Sequence, residues 1–514
     1  MKRIALLFLC AAVLFSVAAG VVSCKPKQNT PVDSETISGG NGSSGGSAGG
    51  DPTDPEAALY GGLKQANYSV NGFATEFNIL SNWAEDKDAG MMDTDDLTTT
   101  FSSAIYSRNR FVEEQLGVLI NWTPETYGNV RNKLQQLNAA GDYQYDIVYN
   151  ESYFQSQSVL QDVYKSVNTY SQYLDFNKPW WYSDVLEDLS LADNSFLVAG
   201  ALNMTVDDMI WCVAFNTKTV SDFGAESPFD YVYDNEWTWE NFYKLSKDTR
   251  SEGKYGIVSH YQMADALFFG AGLILAGVNE DGELERTSVN DRFVTIYQDM
   301  VDKFFENNGV GGTAENCISS VSKDCEMTTK YDWAGTGGAS VLFSSGNATF
   351  WVTVTNGVKR NLPPSDIEYG VVPTPKYEAG QEKYIGWVSR PAAVGGITAT
   401  INNQPEGTIE RVCTVLEWLS AYSHKLVRPA YYDVILLGRV PRQAETKEML
   451  NIVFGLDERG MRKMDCSATF DLGMVETLEI SALDCKPDIS GILRGNAKVI
   501  DDKISTVYEY YRAN

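Results

Sequence analysis

Histidine is nearly missing from this chain: His260 and His424 are the only two in 514 residues. They stand too far apart in sequence to read as a zinc site, which also argues against a metal-importing receptor. No cysteine pair has the CxxC spacing, and there is no P-loop, no dinucleotide fingerprint and no HExxH. Nucleotide chemistry, hydride transfer and zinc proteolysis are therefore left without a signal. Asp93, Asp95 and Asp96 lack the glycine and the terminal glutamate of a calcium loop and read as a solvated turn. No metal and no cofactor is expected. Basic side chains are short as well: 41 Lys and Arg face 68 Asp and Glu, a net charge of -27. Such a field opposes nucleic acid, anionic lipid surfaces and polyanionic substrates and favours neutral or cationic ligands. Its plainest reading is solubility outside a cell. Carboxylate pairs are so abundant in so acidic a chain that they neither point to a glycoside hydrolase nor exclude one.

What is present begins with Lys2 and Arg3 ahead of an apolar run from Ile4 to Val22, the layout of a secretory signal. The run ends in Val21, Val22, Ser23 and Cys24, which resembles the lipobox of bacterial lipoproteins. That resemblance implies a signal over residues 1–23 and a lipidated Cys24 tethering the chain to the membrane by acyl groups; a plain signal with a chance cysteine is the other reading. From residue 24 to 58 the composition collapses to Gly, Ser, Pro, Asn and Asp, a flexible tether without a core. The hydrolase-like trio Gly42, Ser44 and Gly46 falls inside it with no strand before or helix after, and carries no weight. Cys317 with Cys325, and Cys466 with Cys485, could close disulfides in an oxidising compartment. Cys212 and Cys413 sit in apolar runs and read as buried thiols.

Order is expected from about Glu76, where Phe77, Ile79 and Leu80 mark a strand running into Asn82 and Trp83. A helix from about Ser103 to Gly117 follows, then a strand through Val118, Ile120 and Trp122, then a helix opened by Thr123 and Pro124 and stopped by Gly141. Tyr145 to Tyr149, YDIVY, is a short buried strand. Strands alternating with helices predict α/β layers on a mainly parallel sheet, whose ligands bind at the carboxyl ends of strands. Further on, Trp237 to Arg250 offers Thr238 as an N-cap, Gly256 to Ser259 a strand, Ala264 to Ala276 a buried helix, and Ser340 to Trp351 a strand-helix-strand around Gly346. Between Tyr369 and Ser389, YGVVPTPKYEAGQEKYIGWVS, a strand closes near Val372 before Pro373 and Pro375, a polar connection follows, and Ile385 to Val388 re-enters the interior ahead of the flexible pair Gly395 and Gly396. On residues alone this is a strand-loop-strand pattern.

Aromatics are plentiful, with 11 Trp and 28 Tyr. Sugar rings stack their C–H faces on flat side chains while their hydroxyls need Asp, Glu, Asn, Gln or Arg. The Tyr369–Ser389 stretch, the KPWW of Asp175 to Trp181, the crossing that ends in Phe215 and Asn216, the WTW of Trp237 to Trp239, and the Met- and Leu-rich stretch from Glu445 to Phe454 occur in one order. That ordered set resembles the bacterial extracellular solute-binding proteins, family 1, of carbohydrate ABC importers, relatives of maltodextrin-binding protein. The resemblance implies an α/β, two-lobed periplasmic-binding-protein-like fold of type II with crossing hinge strands. It places lobe 1 at 59–205 and 386–440, lobe 2 mainly at 206–385, and C-terminal helices returning to lobe 2 at 441–514. It further implies a sugar or oligosaccharide held between the lobes by Trp83, Glu85, Asn150, Glu151, Asp208, Tyr261, Trp351 and Trp387, no catalysis, delivery to ABC permease subunits, and a lipid-anchored extracytoplasmic monomer. Trp180, Trp181, Trp211 and Trp418 read as core. The sequence departs from that family in its length and at Asn361 to Pro364, where a charged pair is more usual. A peptide receptor, an extracellular carbohydrate-active enzyme and a surface adhesin remain as alternatives.

Overall fold

Phe77, Ile79 and Leu80 are fully buried, and with their neighbours they form the first strand, β1 (Thr75–Ser81). The computed structural model describes residues 55–83, 89–92, 97–251, 254–305, 319–322, 338–435, 442–486 and 488–514. Leu59–Asn514 forms one contact unit and is the subject below; of the preceding unit, Met1–Ala58, only residues 55–58 are described, at the start of the short helix Pro55–Tyr60. Cys24, Glu85, Asp93, Asp95, Asp96, Cys317 and Cys325 lie outside the described residues.

The helix Thr100–Leu116 starts at a capping box, Thr99 with Ser102, and stops at Gly117, whose positive φ of 63° suits a residue without a Cβ. Strand β2 (Val118–Pro124) then pairs parallel with β1 as far as Thr123 and Pro124. The next helix therefore begins later than its Thr-Pro signal suggests, at Tyr127–Ala140. Strand β3 (Ile147–Glu151) pairs with the other edge of β1. These three strands and β12 (Ala393–Ile397) make a four-stranded sheet in the order β12-β3-β1-β2.

The second sheet has five strands in the order β10-β4-β9-β5-β8, with β4 (Trp211–Asn216), β5 (Tyr255–His260), β8 (Ser319–Ser322), β9 (Ala348–Val354) and β10 (Tyr369–Pro373). Two short ribbons complete the strands, β6 (Ala276–Val278) with β7 (Leu284–Arg286), and β11 (Tyr384–Trp387) with β13 (Gly460–Lys463). Both main sheets are mixed: two of the three pairings in the first are parallel, and two of the four in the second. β12 runs antiparallel to β3, and β4 runs antiparallel to both β9 and β10. The reason is the route: β4 and β12 are the strands that enter a sheet after crossing from the other one, so each runs against its neighbours.

The crossings lie side by side. One runs from β3 to β4 and the other from β10 to β12, and they meet antiparallel at Val198 with Gly395 and at Ile210 with Val388. Val198 and Gly395 exchange two backbone hydrogen bonds of 2.8 Å, and Ser389 N–H donates to the Met209 carbonyl at 2.8 Å. Gly395 and Gly396 are not a flexible pair: they are extended residues of β12, and a Cβ there would stand 2.8 Å from the Tyr149 ring and 2.6 Å from the Tyr164 ring. Glycine is needed for close approach, not for mobility.

Three local expectations change. The buried run after Met263 is helical only to Gly270 and then turns toward β6. The segment around Gly346 is helix Gly338–Ser344, strand β9, helix Thr355–Asn361, because Gly346 at φ 75° ends the first helix. Cys466 and Cys485 both keep their thiols. Cys466 is buried at the start of a helix capped by Asp465, whereas Cys485 sits in a left-handed turn after Val475–Leu483. Among the described residues no helix is long and apolar enough to cross a membrane.

Candidate functional site

In each sheet a set of parallel strands presents its carboxyl ends, and ligands of open α/β sheets gather there. Asn82 and Trp83 follow β1 directly, while Asn150 and Glu151 end β3. In the second sheet His260 ends β5 and Tyr261 follows it, and Asn356 stands two residues after β9. Asn82 Oδ1, Trp83 Nε1, Asn150 Oδ1 and both amide atoms of Asn356 are buried without a hydrogen-bond partner. Buried polar atoms are normally satisfied, so these unpartnered ones at strand ends are free to meet polar groups of a ligand.

The charged part of the site joins the two sheets through the second crossing. Glu151 is half-buried, and burial raises its carboxyl to about 7 although the nearby Arg390 guanidinium pulls it down. Arg390 Nη2 donates to Glu479 Oε1 at 3.1 Å, and Gln262 Nε2 reaches the same oxygen at 3.3 Å. Glu479 belongs to the helix Val475–Leu483, which packs against Met263–Gly270, the helix of Asp265. Asp265 is held well above the ordinary carboxylate range, first by burial and then by Glu479 beside it. Asp265 Oδ1 and Glu479 Oε2 have no donor in reach, and a proton on Asp265 supplies one between the two carboxyls. Tyr261 borders the same group; burial and then the Glu479 charge raise its hydroxyl above its usual range.

The structure thus brings Glu151 and Tyr261 into one cluster with Arg390, Glu479, Gln262 and Asp265. Trp83 and Asn150 stand at neighbouring strand ends of the first sheet. Three other expected residues lie elsewhere. Asp208 is fully buried at the end of the first crossing, just before β4, where Lys359 Nζ holds its two oxygens at 2.6 and 2.8 Å and the Tyr431 hydroxyl donates to it. Next to it Asp207 accepts from Tyr182 at 2.7 Å and from Arg428 at 3.3 Å. These ties fasten the crossing to the body of the protein, so Asp208 is a structural anion. Trp351 is buried in β9, between β4 and β5, with its ring 5.9 Å from Phe343. Trp351 is the central residue of that strand, away from the carboxyl end where ligands gather. Trp387 is stacked on Phe269 at 4.0 Å and is likewise interior. Trp180, Trp181, Trp211 and Trp418 are buried, as their apolar surroundings in the sequence suggest.

Arg390 and Glu479 escaped sequence reasoning for different reasons. Arg390 stands three residues beyond Trp387 in the crossing and is the one basic residue between Trp387 and Gly395, a usable signal. Glu479 sits in an unremarked C-terminal helix, and only packing brings it to the cluster.

No protein-family model matches the sequence, and no curated protein matches it. Among solved structures, the chain matches the cyclic alpha-maltosyl-1,6-maltose binding protein of Arthrobacter globiformis with a TM-score of 0.53 and 11% identity, over 86% of this chain and 100% of that one. The ABC substrate-binding protein Lmo0181 of Listeria monocytogenes in complex with cycloalternan gives 0.49 at 13% identity, over 85% of this chain and 98% of that one. Maltose-bound T. maritima MalE3 gives 0.49 at 12% identity, over 86% and 100%. The first of these likenesses establishes the fold, a two-lobed solute-binding-protein fold of type II.

Proposed function

From this two-lobed fold, we propose that the protein captures a neutral sugar or oligosaccharide between its lobes and releases it unchanged to an ABC importer. The observation that carries the reading is the cluster of Glu151, Tyr261, Arg390 and Glu479, drawn from both sheets, the second crossing and a C-terminal helix, beside the unpartnered polar atoms of Asn82, Trp83, Asn150 and Asn356. Hydroxyl groups both donate and accept, which suits a site holding carboxyls, a guanidinium and amides at once. The Arthrobacter globiformis neighbour, a cyclic alpha-maltosyl-1,6-maltose binding protein, supports the same ligand class. Trp83 supplies the aromatic face, Glu151, Asn150 and Arg390 the polar contacts, and Tyr261 the second-lobe contact. Glu85 belongs to the same proposal through its place after Trp83. The lobes are centred on the two sheets and turn about the paired crossings, and ligand biases an equilibrium between open and closed forms. A lipid anchor on Cys24, an extracytoplasmic location, a monomeric state and permease subunits as partners complete the reading.

A thermal-shift and calorimetry screen of neutral oligosaccharides, monosaccharides and short peptides tests it. At about a hundred times its dissociation constant a ligand adds roughly 2.7 kcal/mol of stability. An oligosaccharide should raise Tm, be recovered intact, and lose its effect in Trp83→Ala and Tyr261→Ala. A shift from peptides alone overturns the ligand class, and release of a cleaved product overturns the reading as a receptor.

A further inference from the structure

The KPWW segment takes no part in the cluster between the sheets, yet it is held by several side-chain and backbone contacts. Its two indoles donate to one buried carboxylate, Trp180 Nε1 to Glu417 Oε1 at 2.9 Å and Trp181 Nε1 to Glu417 Oε2 at 2.8 Å. The Trp180 carbonyl accepts from Ala201 at 2.8 Å, and Tyr60 stacks on the Trp180 ring at 5.7 Å with 15° between planes. Gly200 leaves room for this, since a Cβ there would stand 2.7 Å from the Trp180 carbonyl.

Beside this frame lies a hollow of about 240 Å³, walled by Trp180, Trp418 and Glu417 and edged by Lys64, Asp175 and Lys178. Trp418 spends its indole N–H on the Lys64 carbonyl at 2.9 Å and stacks on Tyr422 at 5.5 Å, so the lining aromatic with surface open to the hollow is the half-buried Tyr173. Ser171 and Gln172 add a hydroxyl and an amide to the lining. Thr414 also lines it; its buried hydroxyl has the Tyr68 hydroxyl as a neighbour but makes no well-formed hydrogen bond. Lys178 is held only loosely, 4.0 Å from Asp175.

We propose that this hollow is a second binding site, separate from the one between the lobes, and that it takes a single neutral polyol of pyranose size. The half-buried ring of Tyr173 with a rim of donors and acceptors fits a ring that has C–H faces and peripheral hydroxyls. An anion is disfavoured, because Lys64 is already bound to Glu410 at 2.7 Å and the carboxylates Asp175, Glu410 and Glu417 outnumber the two lysines. A purely apolar ligand would strand those charges. The volume lies at or below the lower end of ordinary ligand pockets, roughly 300–1,000 Å³, so the site holds one ring and not a chain. None of Glu151, Tyr261, Arg390 and Glu479 lines it, so the two sites fail independently.

Tryptophan emission and saturation-transfer NMR on the full chain, titrated with D-glucose and with D-galactose, test the proposal, with inorganic phosphate and glycine as controls. One of the sugars should perturb the emission and receive saturation transfer in the wild type and in Tyr261→Ala alike. Lys178→Ala and Gln172→Ala, both at the rim, should each weaken that binding about tenfold while Tm stays within about a degree. No response to either sugar, a response to phosphate or glycine instead, or a sugar response abolished in Tyr261→Ala and kept in Lys178→Ala would each overturn it.

Discussion

Replacing Glu151 by glutamine should stabilise the protein above neutral pH and leave it unchanged in acid. The carboxyl ends β3 in a half-buried position, and burial raises it from the ordinary 4.5 to about 7 despite Arg390. Between those two values the folded chain holds a proton at Glu151 that the unfolded chain has lost. Stability must then fall as pH rises through that window and level off above it. At about 1.36 kcal/mol per pH unit the gap amounts to roughly 3 kcal/mol, lost by wild type between about pH 4.5 and pH 7. Glutamine has nearly the same shape and no charge to desolvate, and Arg390 keeps Glu479 at 3.1 Å. Glu151→Gln should therefore match wild type at pH 4 and exceed it by roughly 3 kcal/mol at pH 8. Urea unfolding of both proteins at intervals from pH 4 to pH 8 gives the difference directly. Other buried carboxyls that titrate near neutrality, Asp188 and Glu417, act alike in both proteins and cancel. A difference that stays flat with pH, or a variant less stable than wild type at pH 8, would refute the reasoning. The same variant should bind oligosaccharide more weakly at every pH, so stability and affinity move in opposite directions at pH 8.

Asp208→Ala removes the carboxylate that holds the buried Lys359 ammonium and should cost roughly 3–5 kcal/mol by urea unfolding, with ligand affinity of the folded fraction unchanged; a selective loss of affinity would return Asp208 to the binding site. Gly395→Ala pushes a methyl against the Tyr149 ring, 2.8 Å away, and should lower stability by about 1–3 kcal/mol in a calorimetric scan. Trp387→Ala empties a buried stack on Phe269 and should cost about 3–5 kcal/mol, a structural loss that bound oligosaccharide does not rescue selectively.

How far the chain could be read from its sequence depended on the range of the interaction that decides each feature. Glycine caps at Gly117 and Gly141, the Thr238 N-cap, the buried alternation of β1 and the strand-loop-strand pattern around Pro375 are local, and they stand in the structure where residue chemistry places them. Helix starts slipped where a neighbouring strand competed for the same residues, as when pairing with β1 drew Thr123 and Pro124 into β2. Trp351 and Trp387 had the composition of ligand platforms, but an indole is as good in a core as in a cleft. Only the pairing of β9 on both edges and the stack on Phe269 choose between the two.

Local periodicity and turn chemistry by themselves determined that strands and helices alternate in α/β layers and where the main ones fall; the two lobes and the late crossing between them came from the resemblance to solute-binding proteins. Tertiary structure alone decided the strand directions, the close fit that demands Gly395 and Gly396, the burial of Asp208 against Lys359, and the union of Glu151 with Arg390 and Glu479. Hydrogen-bonding patterns along a chain register neighbours within a few residues, whereas the field and packing that set a carboxyl's charge or hide a tryptophan come from segments hundreds of residues away.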